Sequence, residues 1–213
     1  MKAVIFDLNG TVLADEDEYG AAFGEVLRDL GKKTDKKFPH TRGIGVKENW
    51  PVLLAKYKIK TTKTADELAS MTQNAYLKRI DKVDLKKGFV EFVEGLKTSG
   101  TLIALATSNS WMIVEKIFDM LDIEKYFDLV TTCEEVGFNK PSPEIFLKTA
   151  EKLGVEPEDC AVIEDSQAGV EAAIAAEMKV VGLKHDKNHA KTLKDANLIV
   201  GDFIELSSRF NKL

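Results

Sequence analysis

Nine residues near the start, Ala3-Val4-Ile5-Phe6-Asp7-Leu8-Asn9-Gly10-Thr11, limit what this chain can fold into. Four apolar residues run without a break into a carboxylate, and a small polar residue, a glycine and a threonine follow closely. An unbroken apolar run bounded by a turn signal reads as a strand buried on both faces, the kind that parallel sheets use. Asp7 then stands where the strand ends, and Gly10 lets the backbone turn. In open parallel sheets, ligands bind at the carboxyl ends of the strands. A carboxylate there is a nucleophile, a metal ligand, a helix cap or simply the start of an Asx turn. This stretch alone leaves all four open.

After Thr11 the strand pattern stops until Gly88. Residues 15–30 carry Tyr19, Ala22, Phe23, Val26, Leu27 and Leu30 at helical spacing, and Gly31 ends the helix. Residues 32–37 form a basic loop. Trp50, Val52, Leu53, Leu54 and Tyr57 predict a short helix over 47–57, with Trp50 in its core. A further helix over 64–80 starts from Thr64, with Glu67 three residues on. From Gly88 helix and strand alternate. Strands at 102–106, 129–132, 161–163, 180–183 and 198–200 are separated by helices near 110–121, 142–153 and 166–176. The predicted fold is α/β: a Rossmann-like parallel sheet with helices on both faces, plus an inserted α-helical domain. The expected division is 1–14 with 88–213 as the sheet domain, and 15–87 as the insertion.

Charge supports two bodies. Residues 15–87 hold 16 Lys and Arg against 12 Asp and Glu, a net of +4; the remainder holds 14 against 23, a net of −9. A basic segment facing an acidic site draws in an anion, although lysines scattered over solvated helices give the same count. No basic stripe with interleaved aromatics appears, so nucleic acid is not indicated. No apolar run approaches the roughly 20 residues of a membrane span, and the first residues lack a signal-peptide pattern. Cys133 and Cys160 have no zinc-ligand spacing, and both are expected to be buried free thiols in a reducing, cytoplasmic setting. A monomer is expected. His40, His185 and His189 fall in no motif and read as surface or loop residues.

Three strands end in polar chemistry: Asp7, Thr107-Ser108 and Glu164-Asp165. Lys140 follows a fourth. Together they put carboxylates, hydroxyls and an ammonium on one edge of one sheet. Facing carboxylates without a basic partner are costly unless a cation sits between them. Mg²⁺ fits, because it takes a few carboxylate oxygens, water and a phosphate. Lys140 and the Thr107 hydroxyl are then placed to hold phosphate oxygens.

With these four motifs in order, the chain resembles the haloacid dehalogenase superfamily, in its phosphoglucomutase and sugar-phosphatase branch with a helical cap. The resemblance implies that Asp7 is the nucleophile and a Mg²⁺ ligand, passing through an aspartyl-phosphate. It implies the Asn9 carbonyl and Asp165 as further ligands, and Glu164 as a ligand or outer acceptor. Thr107 and Lys140 would hold the transferring phosphoryl group, helped by Ser108 and Asn109. The strand of Asp7 would lie between those of Thr107 and Asp165, and residues 15–87 would be a cap that closes over a small-molecule phosphate ester. One position departs. The family usually has aspartate at position 9 as general acid and base, and an amide does neither. General acid–base catalysis is worth about 10²–10⁴-fold, so a slow phosphatase is expected. In the cap, the histidine and the lysine–glycine–arginine pattern of the β-phosphoglucomutase type are missing; Arg42 and Lys47 remain candidate substrate contacts. The alternatives are a phosphomutase or a phosphate-ester-binding protein without turnover. Ser108-Asn109 also suggests a dehalogenase, but such an enzyme has no use for Glu164-Asp165.

Overall fold

The apolar run at the start forms a strand, β1 (Ala3–Phe6), with every residue buried. The computed structural model describes residues 1–41 and 45–213. After β1 come β2 (Leu13–Ala14), α1 (Glu16–Asp29), α2 (Val46–Tyr57), α3 (Ala65–Leu77) and β3 (Asp84–Leu85). Then follow α4 (Phe89–Thr98), β4 (Leu102–Ala106), α5 (Trp111–Leu121), β5 (Leu129–Thr131), α6 (Glu144–Leu153) and β6 (Cys160–Glu164). The chain ends with α7 (Gln167–Ala175), β7 (Lys179–Leu183), β8 (Leu198–Val200) and α8 (Phe203–Arg209). It divides into two compact units, Met1–Leu13 with Leu85–Leu213, and Ala14–Asp84.

The first unit is a parallel sheet in the order β5-β4-β1-β6-β7-β8. β1 is central: Ala3 faces Leu102 on one side and Cys160 on the other. The strand of Asp7 therefore lies between those that lead into Thr107 and Asp165, as expected. Alternate residues of β1 serve the two faces. Ile5 joins Ala104, Val162, Phe146, Ala172 and Ala173 in one core cluster. Phe6 points the other way, with ring centroids 5.7 Å from Phe89 and 6.0 Å from Phe203. Each such side chain is worth about 1.5–3 kcal/mol of burial. Two layers of this kind pack the sheet against helices and leave its C-terminal edge to the loops.

Among the described residues, the inserted unit contains the α-helices α1 to α3. α3 starts with the expected capping box: Thr64 Oγ1 accepts from Glu67 N at 3.2 Å, and Thr64 N donates to the Glu67 carboxylate at 2.7 Å. Trp50 is wholly buried and donates its indole N–H to Thr72 Oγ1 at 3.0 Å. Tyr76 stacks on Tyr19 and donates to Asp15 Oδ2 at 2.7 Å. Burial and the Asp15 charge push the Tyr76 phenol far up.

Two details differ from the sequence expectations, a short ribbon and the exposure of Cys133. β2 and β3 form a two-stranded ribbon where the chain was expected to be helix and loop; strands of two residues have no period to read. Cys160 is buried as expected, and burial pushes its thiol up to about 11. Cys133, however, is half-buried in a single turn, Cys133–Glu135. His40 is half-buried and stacks on Phe23 at 4.5 Å. Among the described residues, no helix is long and apolar enough to cross a membrane.

Candidate active site

Asp7 N donates to Ile163 O at 3.0 Å, which fixes the end of β1 against β6. The backbone then turns sharply, with Val12 N and Leu13 N both donating to Leu8 O at 2.9 Å. Gly10 sits in this turn at φ +80°, and a Cβ there would run into the Asp165 carboxylate. Only glycine meets both demands. One residue on, Thr11 Oγ1 donates to Asp165 Oδ1 at 3.2 Å. The first motif thus positions a carboxylate of the fourth.

At the end of β6, Glu164 is almost wholly buried. Its Oε2 accepts from Ser166 N and Ser166 Oγ, both at 2.8 Å, and Ser166 Oγ in turn accepts from Gly169 N at 2.9 Å to cap α7. Gly169 packs so close that a Cβ would overlap the Glu164 carboxylate. Gly169→Ala should therefore lower stability by about 1–3 kcal/mol, read from denaturant unfolding. A stability equal to the parent's would show that Glu164 has room to move.

Lys140 lies among these groups. Its Nζ donates to Asp7 Oδ1 at 2.6 Å, Glu164 Oε1 at 2.8 Å and Ala106 O at 3.2 Å. Burial alone would lower the Lys140 pKa, but the Asp7 and Glu164 charges outweigh it and push it up. Burial also pushes the Asp7 carboxyl well up, aided by Glu164 and Asp165 and opposed by Lys140. Two of the carboxylates thus have a basic partner in Lys140. One ammonium does not balance three carboxylates. Ligand oxygens of Asp7, Glu164 and Asp165 lie within 4.8 Å of one another. The ionised cluster with Lys140 carries a net charge of −2, and its donors are hard oxygens. That donor set fits Mg²⁺, and a bound dication would reverse the upward pressure on Asp7.

The end of β4 brings the second motif to the same edge. Thr107 N donates to Thr131 O at 3.0 Å. Thr107 Oγ1 accepts from Asn109 N and Asn109 Nδ2, each at 3.2 Å, and Asn109 Nδ2 also donates to Asn9 Oδ1 at 2.5 Å. Ser108 is half-buried between Thr107 and Asn109. Direct contacts thus make two groups at this edge, Asp7–Lys140–Glu164 and Asn9–Asn109–Thr107, with an Asp165 oxygen within 4.8 Å of the carboxylates of the first. Lys47 is not among them: it is exposed in the inserted unit and pairs with Asp66 at 2.6 Å. Arg42 lies outside the described residues.

Sequence reasoning missed His185. Far from being an uninvolved loop residue, its Nε2 stands 3.0 Å from Asp165 Oδ2, and its Nδ1 3.1 Å from Lys86 Nζ. β7 lies beside β6 with Gly182 opposite Glu164, so the loop beyond β7 reaches the same edge. Extending the strand-end rule from β6 to β7 would have found it.

Residues 1–177 match the family described as haloacid dehalogenase-like hydrolase. A phosphorylated carbohydrates phosphatase from Thermotoga maritima is 34% identical over 205 residues, covering 93% of each chain. A phosphoglycolate phosphatase from Aquifex aeolicus is 30% identical over 182 residues, covering 84% of this chain and 83% of the relative. The crystal structure of a β-phosphoglucomutase from Clostridium difficile superposes with a TM-score of 0.84 at 28% identity, covering 100% of this chain and 98% of the other.

Proposed function

We propose that this chain, which belongs to the haloacid dehalogenase-like hydrolase family, is a Mg²⁺-dependent phosphatase of a phosphorylated sugar, slowed by Asn9. The observation that carries the reading is the buried Asp7–Lys140–Glu164 contact with Asp165 beside it, a net charge of −2 on hard oxygen donors. Asp7 attacks phosphorus, a bond forms from its carboxylate oxygen, and the bond to the sugar oxygen breaks. The leaving oxygen takes its proton from solvent, because Asn9 has none to give. Water then attacks the aspartyl-phosphate and releases phosphate. Asp7, Asp165, Glu164 and the Asn9 carbonyl would hold Mg²⁺, which would supply positive charge against the carboxylate and the phosphate.

Lys140 and Thr107 hold the phosphoryl oxygens, with Ser108 and Asn109 at their side. The inserted helical unit serves as the cap, with Arg42 and Lys47 meeting the rest of the substrate. The sugar class is supported by the carbohydrate relative and by the β-phosphoglucomutase likeness. That likeness also supports a phosphomutase, which would need a bisphosphate activator. The buried, unpaired Cys160 supports a cytoplasmic setting, and we expect a monomer without nucleic-acid or membrane partners.

The test is phosphate release from a panel of sugar phosphates, with and without Mg²⁺ and without any bisphosphate. Release that needs Mg²⁺ and no activator supports the phosphatase; absence of release from every ester contradicts it. Asp165→Ala should weaken Mg²⁺ binding by more than the roughly 100-fold that outer partners reach. Calorimetric titration measures this, and an unchanged affinity would remove Asp165 from the site.

A further inference from the structure

We propose that His185 is a positioning residue for Asp165, holding one carboxylate oxygen through Nε2–H while Lys86 fixes the tautomer of the ring. The inference rests on the Mg²⁺ reading above and adds two residues that no motif contains.

Asp165 is held from two sides. Thr11 Oγ1 donates to Oδ1 at 3.2 Å, and His185 Nε2 lies 3.0 Å from Oδ2. The side chains of Asp165 and His185 are only 8% and 14% exposed, so water competes little for either bond. An ammonium has only protons to offer. With Lys86 Nζ 3.1 Å from Nδ1, that nitrogen accepts, and the ring proton lies on Nε2, aimed at Asp165. The ring itself is braced. It stacks on His189 at 4.5 Å with an interplanar angle of 7°, and His185 N donates to His189 Nδ1 at 3.1 Å. Asp186 Oδ1 accepts from Asn188 N at 2.7 Å and His189 N at 2.8 Å, which closes the loop beneath them.

The choice of imidazole has a physical consequence. A lysine placed directly on Asp165 would cancel the charge that draws a dication. An imidazole N–H orients the carboxylate through one bond and leaves its remaining acceptor positions open. Each carboxylate oxygen accepts at more than one position, so the histidine bond does not close Oδ2 to a cation. Partners of this kind typically change metal affinity by 10–100-fold (an order-of-magnitude range).

The experiment is calorimetric Mg²⁺ titration of the full chain without substrate, for the parent, His185→Phe, His185→Gln and Lys86→Met. Phenylalanine keeps the stacking and removes the nitrogens. Glutamine returns an N–H near the place of Nε2. The expected result is an affinity about 10-fold weaker in His185→Phe, largely restored in His185→Gln, and intermediate in Lys86→Met. Parent affinity in His185→Phe overturns the proposal. So does an equal loss in the phenylalanine and glutamine variants, because that would mark a loop-packing role. If His185→Phe does not fold, Lys86→Met decides, and parent affinity there overturns the proposal. A parent protein that binds no Mg²⁺ refutes the metal reading itself and is distinguishable from these outcomes.

Discussion

Replacing Asn9 with aspartate raises the turnover of a sugar phosphate by about 10²-fold or more, at the low end of acid–base contributions. Transfer to Asp7 expels an alkoxide that needs a proton, and hydrolysis of the aspartyl-phosphate needs a base for water. Asn9 supplies neither. The substitution is mild, because Asn109 Nδ2 already donates to Asn9 Oδ1 at 2.5 Å. A carboxylate accepts the same bond with one oxygen and offers the other to the reaction. Mg²⁺ affinity should change little, since the ligand proposed at position 9 is the main-chain carbonyl. Asp7→Asn removes the nucleophile and abolishes release in either background. Steady-state phosphate release for the parent and the variants measures all of this. An Asn9→Asp protein no faster than its parent would mean that position 9 is not the missing acid and base.

Lys140→Met produces the largest change in stability. The ammonium is buried between two carboxylates, 2.6 Å from Asp7 and 2.8 Å from Glu164. Removing one member of a buried pair leaves charge without compensation and costs about 3–5 kcal/mol. For a chain of this length each kcal/mol moves the unfolding midpoint by about 2–4 °C. The metal-free variant should melt well below the parent, and Mg²⁺ should restore part of the loss by supplying positive charge to the same oxygens. Lys47→Met is the control: its partner Asp66 and its own side chain are mostly exposed, and such pairs are worth about 0–1 kcal/mol. Thermal unfolding with and without Mg²⁺ gives both numbers. A Lys140→Met protein as stable as the parent would mean that the carboxylates are balanced by something other than the lysine.

What could be read from the sequence was local or periodic. β1, β4 and β6 carry unbroken apolar runs, and each leads straight into a motif, so Asp7, Thr107, Glu164 and Asp165 were legible from strand ends alone. The Thr64–Glu67 capping box was legible because both partners lie within one turn. Contacts set by tertiary packing were not. Nothing in the spacing says that Lys140 bridges Asp7 across 133 residues. His185 escaped for a similar reason: it sits two residues past β7, outside any motif, and its role depends on β7 lying next to β6. β2 and β3 are too short to leave a pattern. The charge of Lys47 is visible in the sequence, whereas its pairing with Asp66 is visible only in the structure.

In the proposed reaction Asp7 takes the phosphoryl group while Asn9 leaves both proton transfers to solvent. An aryl phosphate tests it most directly, because its leaving oxygen needs no proton. With Mg²⁺ present, the first step then runs fast in the parent protein while hydrolysis of the aspartyl-phosphate stays slow. The predicted first turnover is a burst of aryl alcohol equal to the enzyme present, followed by slow phosphate release. Mass spectrometry of the acid-quenched protein should find the phosphoryl group on the peptide that contains Asp7, and none in Asp7→Asn. Alcohol and phosphate appearing together, with no phosphoryl group on Asp7 at any time, would contradict the account.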